Sequence, residues 1–176
     1  MSLNPLSAQT LHTEKTCWSI REICLAAVMT AVVFLATFVP RIPIPLGYAH
    51  LGDAAIFLLV LLLPKRPALW AACLGSALSD LLGGFALWVL PTLLIKFVMG
   101  YLVVKLARRN SSLRRLGLAF FTASLWMTAS YTLCGALLYA SLSAGLASTP
   151  GLFLEDLLNT AAALLLLPLL RRHLPL

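Results

Sequence analysis

The chain has 176 residues, 61% of them hydrophobic and only 11% charged, against about half apolar and about a quarter charged in an average soluble domain. That composition excludes a disordered tail, a disulfide scaffold, a coiled coil and an ordinary soluble enzyme, and makes lipid the solvent for much of the surface. The net charge of +7 does not mark a nucleic-acid groove, because the basic residues sit in short clusters between apolar blocks and do not interleave with aromatics.

Residues 1–18 are polar and mixed, and read as a cytoplasmic N-terminal tail without the apolar core of a signal peptide. Six apolar blocks follow, at 23–39, 51–63, 68–84, 87–106, 116–146 and 152–170. A span needs about 20 residues. The second block is short, and the fifth is long enough to tilt or to end in a reentrant turn near Ser143. The predicted fold is an all-α membrane protein: a bundle of six transmembrane helices over 19–172, with a short C-terminal tail at 173–176.

Lysine and arginine set the orientation. With the N-terminus inside, the inner segments hold Lys15, Arg21, Lys65, Arg66, Lys105, Arg108, Arg109, Arg114, Arg115, Arg171 and Arg172. The outer segments hold Arg41 alone, and Lys96 lies within a helix. This is a strong positive-inside bias, and it places both termini in the cytoplasm. The same clusters suit anionic membrane lipid.

Orientation then gives each polar residue a depth. His50 and Asp53 fall at the outer end of the second helix, and Asp80 near the outer end of the third. Lys96 falls about 13 Å below the outer edge in the fourth. Glu155, Asp156 and Asn159 fall in the first two turns of a sixth helix starting at 152. Tyr131, Gly135 and Tyr139, spaced i, i+4, i+8, share a face in the outer half of the fifth. Trp88 stands at the outer boundary, where an aromatic belt would place it. The polar groups therefore gather in one leaflet, as a cavity open to the outside requires and a continuous channel does not.

Lys96 is the sharpest of these residues. A lysine at that depth costs about 2.5–3.5 kcal/mol unless it is paired or wet, so it is expected to face Asp80, Asp53 or a bound polar group. Asp53 can also act as a helix N-cap, Asn159 as interhelical glue, and the Tyr131/Tyr139 face as plain packing. The candidate substrate-binding set is His50, Asp53, Asp80, Trp88, Lys96, Tyr131, Tyr139 and Asn159. No catalytic set, metal site or cofactor is expected: Ser76 has no histidine at its depth to act as base, and no second histidine lies near His50. The loop 40–48, with Pro40, Pro43, Pro45 and an apolar surface, suits a lid over a pocket. Cys73 and Cys134 lie inside apolar blocks and read as packing residues.

Small residues at i, i+4 let helices approach closely. In the third helix Ala68, Ala72 and Ser76, with Gly75, Ser79 and Gly83, are assigned to internal packing. In the first, Ala27 and Ala31 form a face able to dock another membrane protein.

Three segments carry a family resemblance: Pro45-Leu46-Gly47-Tyr48-Ala49-His50-Leu51-Gly52-Asp53-Ala54, Gly75-Ser76-Ala77-Leu78-Ser79-Asp80-Leu81-Leu82-Gly83-Gly84 and Pro91-Thr92-Leu93-Leu94-Ile95-Lys96-Phe97-Val98-Met99-Gly100. In this order and spacing, over roughly 20–172, the chain resembles the substrate-binding S component of energy-coupling factor (ECF) vitamin transporters. The resemblance implies a bacterial plasma-membrane subunit that takes a vitamin from outside under a first-loop lid. It implies docking through Ala27 and Ala31 on a transmembrane coupling subunit, served by two cytoplasmic ATPases. The chain itself lacks a phosphate-binding Gly-x-x-x-x-Gly-Lys-Ser/Thr loop. The branch resembled most takes pyridoxine or hydroxymethylpyrimidine-type substrates, with riboflavin next. Ala49-His50 departs from the more polar or branched pair of that branch. The competing class is a six-helix membrane scaffold of a cell-envelope complex without a ligand pocket.

Overall fold

A computed structural model describes residues 18–108 and 110–173. Residues 1–17 of the tail expected at 1–18, with His12, Lys15 and Cys17, lie outside the described residues, as do Arg109 and 174–176. Among the described residues the order is α1 (Ile20–Phe38), β1 (Ile42–Ile44), β2 (Gly47–Ala49), α2 (Gly52–Leu62), α3 (Lys65–Leu82), a 3-10 turn (Ala86–Trp88), α4 (Val89–Leu106), α5 (Leu113–Leu138) and α6 (Leu142–His173). Six helices and one small hairpin make an all-α membrane protein, and α1, α4 with its 3-10 turn, α5 and α6 are each long and apolar enough to cross a bilayer.

α1 starts three residues before the apolar block because a capping box precedes it. Ser19 Oγ accepts from the Glu22 amide at 3.2 Å, and Glu22 Oε2 accepts from the Ser19 amide at 2.9 Å. α2 has 11 residues, nine of them buried. At 1.5 Å per residue it reaches only about 16 Å, and it is apolar all round because α1, α3, α4 and α6 surround it. It is the central post of the bundle, with little lipid-facing surface. Its own Phe57 stacks on Phe120 of α5, centroids 4.6 Å apart and planes 3° apart. Val103, Leu116, Ala163 and Leu167 complete an apolar inner core.

Two boundaries differ from the sequence reading. The fifth block breaks at 139–141, not near Ser143: α5 ends at Leu138, and Ala140 turns the chain with φ +48°. α6 then begins at Leu142 and continues through Pro150, ten residues before the predicted start. Glu155, Asp156 and Asn159 consequently lie in the middle of a long helix and not in its first two turns. Pro150 removes one helical hydrogen bond, the one to the Leu146 carbonyl, yet the helix runs on through it.

The close approach of α1 and α3 rests on Gly75, as its small-residue stripe suggests. A Cβ there would meet the Thr30 carbonyl oxygen at 2.8 Å and Val33 side-chain atoms at 2.8 and 2.9 Å. Gly75→Ala gains about 1 kcal/mol of helix propensity. It also overpacks against a backbone that cannot yield, which costs about 1–3 kcal/mol. Net destabilisation is expected in an SDS-unfolding titration, and an unchanged midpoint would show that α1 can move aside.

Candidate functional site

The loop after α1, expected as a lid, is a hairpin lying over the cavity. Ile42 pairs with Ala49, Pro43 with Tyr48 and Ile44 with Gly47, and Leu46 takes φ +65° at the turn. Each apolar tip has a glycine seat. A Cβ on Gly151 of α6 would meet Ile44 at 2.8 Å, and one on Gly135 of α5 would meet Leu46 at 3.3 Å. Arg41 fastens the base. Its guanidinium lies 3.9 Å from the Phe38 ring centroid and 4.3 Å from that of Tyr48, and it donates to the Ser79 carbonyl at 3.0 Å. Its charge sits well at the C-terminus of α3.

Between the hairpin and the outer halves of α3–α6 is a cavity. Phe85, Trp88 and Tyr131 give it aromatic walls, and Met127 and Leu152 are apolar. Asp80, His50, Lys96, Glu155, Tyr48 and Ser148 supply the polar groups. The mixture of aromatic walls and a few convergent polar groups suits a small organic ligand.

Lys96 is 1% exposed, and its Nζ stands 2.5 Å from Asp53 Oδ1. Its partner is therefore Asp53 of α2. Asp53 lies in the first turn of α2 but makes no side-chain cap to it, so it is not a cap alone. Asp80 is satisfied elsewhere: Tyr48 donates to Oδ1 at 2.9 Å and Thr92 to Oδ2 at 2.5 Å. The Thr92 hydroxyl also meets the Tyr131 hydroxyl at 2.9 Å. Burial, then the Asp80 charge, pushes the Tyr48 phenol up to about 12. It thus remains a donor across the physiological range and ties the hairpin to α3.

Asn159 is 0% exposed and organises the third side. Its amide donates to the His50 carbonyl at 2.7 Å and the Glu155 carbonyl at 2.9 Å, while its oxygen accepts from the Ala54 amide at 2.8 Å. It joins α6 to the start of α2. His50 Nδ1 lies 2.9 Å from Glu155 Oε1 and 3.2 Å from the Gly52 nitrogen. A neutral ring can accept from Gly52, and a protonated ring can donate to Glu155. Burial opposes the imidazolium, but the Glu155 charge and hydrogen bond outweigh it, so His50 binds its proton above the ordinary 6.5. A raised folded-state value contributes stability that is fully present below about pH 6.5 and is lost as the pH rises through that value. Thermal stability in detergent is therefore expected to fall between mildly acidic and alkaline buffer. His50→Gln should flatten the profile; an equally steep profile in the variant would assign the slope to another group.

Of the eight predicted site residues, His50, Asp80, Trp88, Lys96 and Tyr131 line the cavity. Asp53 lies behind Lys96, and Asn159 lies behind His50 and Glu155. Tyr139 is 42% exposed and stands outside, 6.4 Å from the Trp88 centroid; its i, i+4, i+8 face does meet Trp88, through Tyr131 at 5.6 Å and Gly135. Glu155, Tyr48, Phe85 and Ser148 line the cavity without having been in that set. Glu155 was visible in the sequence as an acid one helical turn before Asn159 on the same face. Among the described residues no group of three His, Cys, Asp or Glu side chains can hold a metal ion. Ala27 and Ala31 are exposed on α1 beside Val28 and Val32.

The comparisons agree with this geometry at the level of the family. The chain matches the family described as ECF-type riboflavin transporter, S component, over residues 17–172. It is also 32% identical over 109 residues to an uncharacterized protein from the gap 3' region of Pyrococcus woesei, covering 61% of this chain and 73% of that protein. With the match extending over almost all of the six-helix bundle, the chain belongs to the ECF-type riboflavin transporter S component family and is a membrane substrate-binding subunit for vitamin uptake, not an enzyme.

Proposed function

We propose that the cavity under the hairpin captures a single-ring heteroaromatic vitamin or precursor, of the pyridoxine or hydroxymethylpyrimidine type, from the outer side of a bacterial plasma membrane. The observation that carries this reading is the polar set of the cavity: two acids, Asp80 and Glu155, and two bases, His50 and Lys96, converge on it. A small ring with short polar substituents can engage them together. Trp88 and Tyr131 offer ring faces, and the buried indole N–H of Trp88 has no protein acceptor among the described residues. Asp53 and Asn159 act as positioning residues, and Tyr139 backs Trp88. Riboflavin is the second reading, favoured by the description of the matching family.

Delivery inward then falls to partners. The exposed Ala27/Ala31 face would dock a transmembrane coupling subunit, with two cytoplasmic ATPases supplying the energy. Isothermal titration of the detergent-purified protein with pyridoxine, the hydroxymethylpyrimidine and riboflavin tests the substrate. Tight binding of either single-ring compound and weak binding of riboflavin is the expected order. The reverse order would establish the riboflavin reading instead.

A further inference from the structure

Each charged group lining the cavity has a settled partner except one. Lys96, from α4, is held by Asp53 of α2, and Asp80, from α3, accepts from Tyr48 and Thr92. Asp156, next to Glu155 on α6, accepts from Thr128 of α5 at 2.5 Å. Tyr131 of α5 shares its hydroxyl with Thr92.

Glu155 is 2% exposed and forms part of the cavity wall, and its Oε1 has no hydrogen-bond donor apart from a protonated His50. That donor has a rival use. The same Nδ1 faces the Gly52 amide at 3.2 Å, an N–H at the start of α2 that needs an acceptor. Nδ1 cannot donate to Glu155 and accept from Gly52 at once. Serving Glu155 leaves Gly52 unserved. A second proton-bearing nitrogen in the cavity would satisfy both.

We propose that the ligand binds as its ring-protonated cation, with the ring N–H⁺ donating to Glu155 in the place His50 fills when the cavity is empty. This rests on the vitamin-binding reading above and narrows it to heteroaromatics with a basic ring nitrogen. The exchange balances. The His50 Nδ1–H bond breaks and a ring N–H bond forms, with the proton passing through water at the cavity mouth. Neutral His50 then accepts from Gly52, one positive charge remains beside Glu155, and no electrons are transferred. Pyridine and aminopyrimidine rings have such a nitrogen. The isoalloxazine of riboflavin has none of comparable basicity.

The test uses the full chain in detergent with three probes: 4-amino-5-hydroxymethyl-2-methylpyrimidine, pyridoxine and riboflavin. Ultraviolet absorption of the bound pyrimidine is read at mildly alkaline pH, where the free ring is neutral. The expected result is the spectrum of the protonated ring on the unaltered protein. Glu155→Gln keeps the shape and removes the charge, and should weaken both basic-ring probes by about 10- to 100-fold, the range for a hydrogen bond to a charged group. A neutral-ring spectrum on the unaltered protein would overturn the proposal whether or not the variant folds. So would unchanged affinity in Glu155→Gln, or binding of riboflavin alone; each of these leaves the vitamin-binding reading standing. Failure of all three probes to bind would overturn that reading and this inference with it.

Discussion

Replacing Lys96 with methionine, with Asp53 left in place, is expected to destabilise the bundle by about 3–5 kcal/mol, the range for removing one partner of a buried ion pair. Both side chains are at most 2% exposed, and their 2.5 Å contact ties α4 to α2. Without the ammonium, Asp53 must hold a buried charge alone or take up a proton, and its Oδ2 already lacks a donor. Lys96→Met combined with Asp53→Leu removes both charges and should recover most of the loss, because an apolar pair of similar volume often matches a buried ion pair. Unfolding titrations of the two single variants and the double variant measure the coupling. Additive losses would contradict the pairing. Lys96 cannot be truncated to test ligand contact alone, since folding and binding would change together.

Asn159→Leu is the second large effect. The substitution keeps the volume but leaves the Ala54 amide without its acceptor and the His50 carbonyl without its donor, while the Glu155 carbonyl keeps its helical bond. Each buried backbone group left without a partner costs about 1–3 kcal/mol, so a total of about 3 kcal/mol or more is expected, with the terms not strictly additive. The variant should also bind ligand more weakly, because Asn159 is what holds the His50 backbone and α6 against the start of α2. Asn159→Asp should rescue only the Ala54 contact. If Asn159→Leu unfolds at the unaltered midpoint, water or another side chain serves those groups and the post at α2 does not depend on α6.

The helix count and the gathering of polar groups at one end were legible because both follow from composition along the chain. Apolar blocks report lipid exposure, and a lysine such as Lys96 in the middle of one demands a partner. Which partner was not legible. Asp53 and Asp80 lie at similar depths, and choosing between them needs the rotation of α2 and α3 about their axes. The buried small-residue stripe of α3 turns Asp80 toward Tyr48 and Thr92, while α2, enclosed on all sides, presents Asp53 to Lys96.

The start of α6 was misread because Pro150 and Gly151 look like a helix boundary, whereas α6 runs through both, packed along α5. That error moved Glu155 to a helix end, where an acid is an ordinary cap, and hid its place in the cavity wall. The hairpin was masked by its prolines. Pro43 and Pro45 argue against a strand in a wide sheet but are compatible with a two-stranded ribbon whose tips rest on Gly135 and Gly151.

The central claim is that the cavity beneath the hairpin holds a vitamin, and native mass spectrometry of the protein purified in detergent from cells grown in rich medium tests it most directly. A stoichiometric adduct of vitamin size, released on unfolding and lost in Asn159→Leu, is the predicted result. A clean mass of the bare chain, unshifted by added pyridoxine, hydroxymethylpyrimidine or riboflavin, would contradict it.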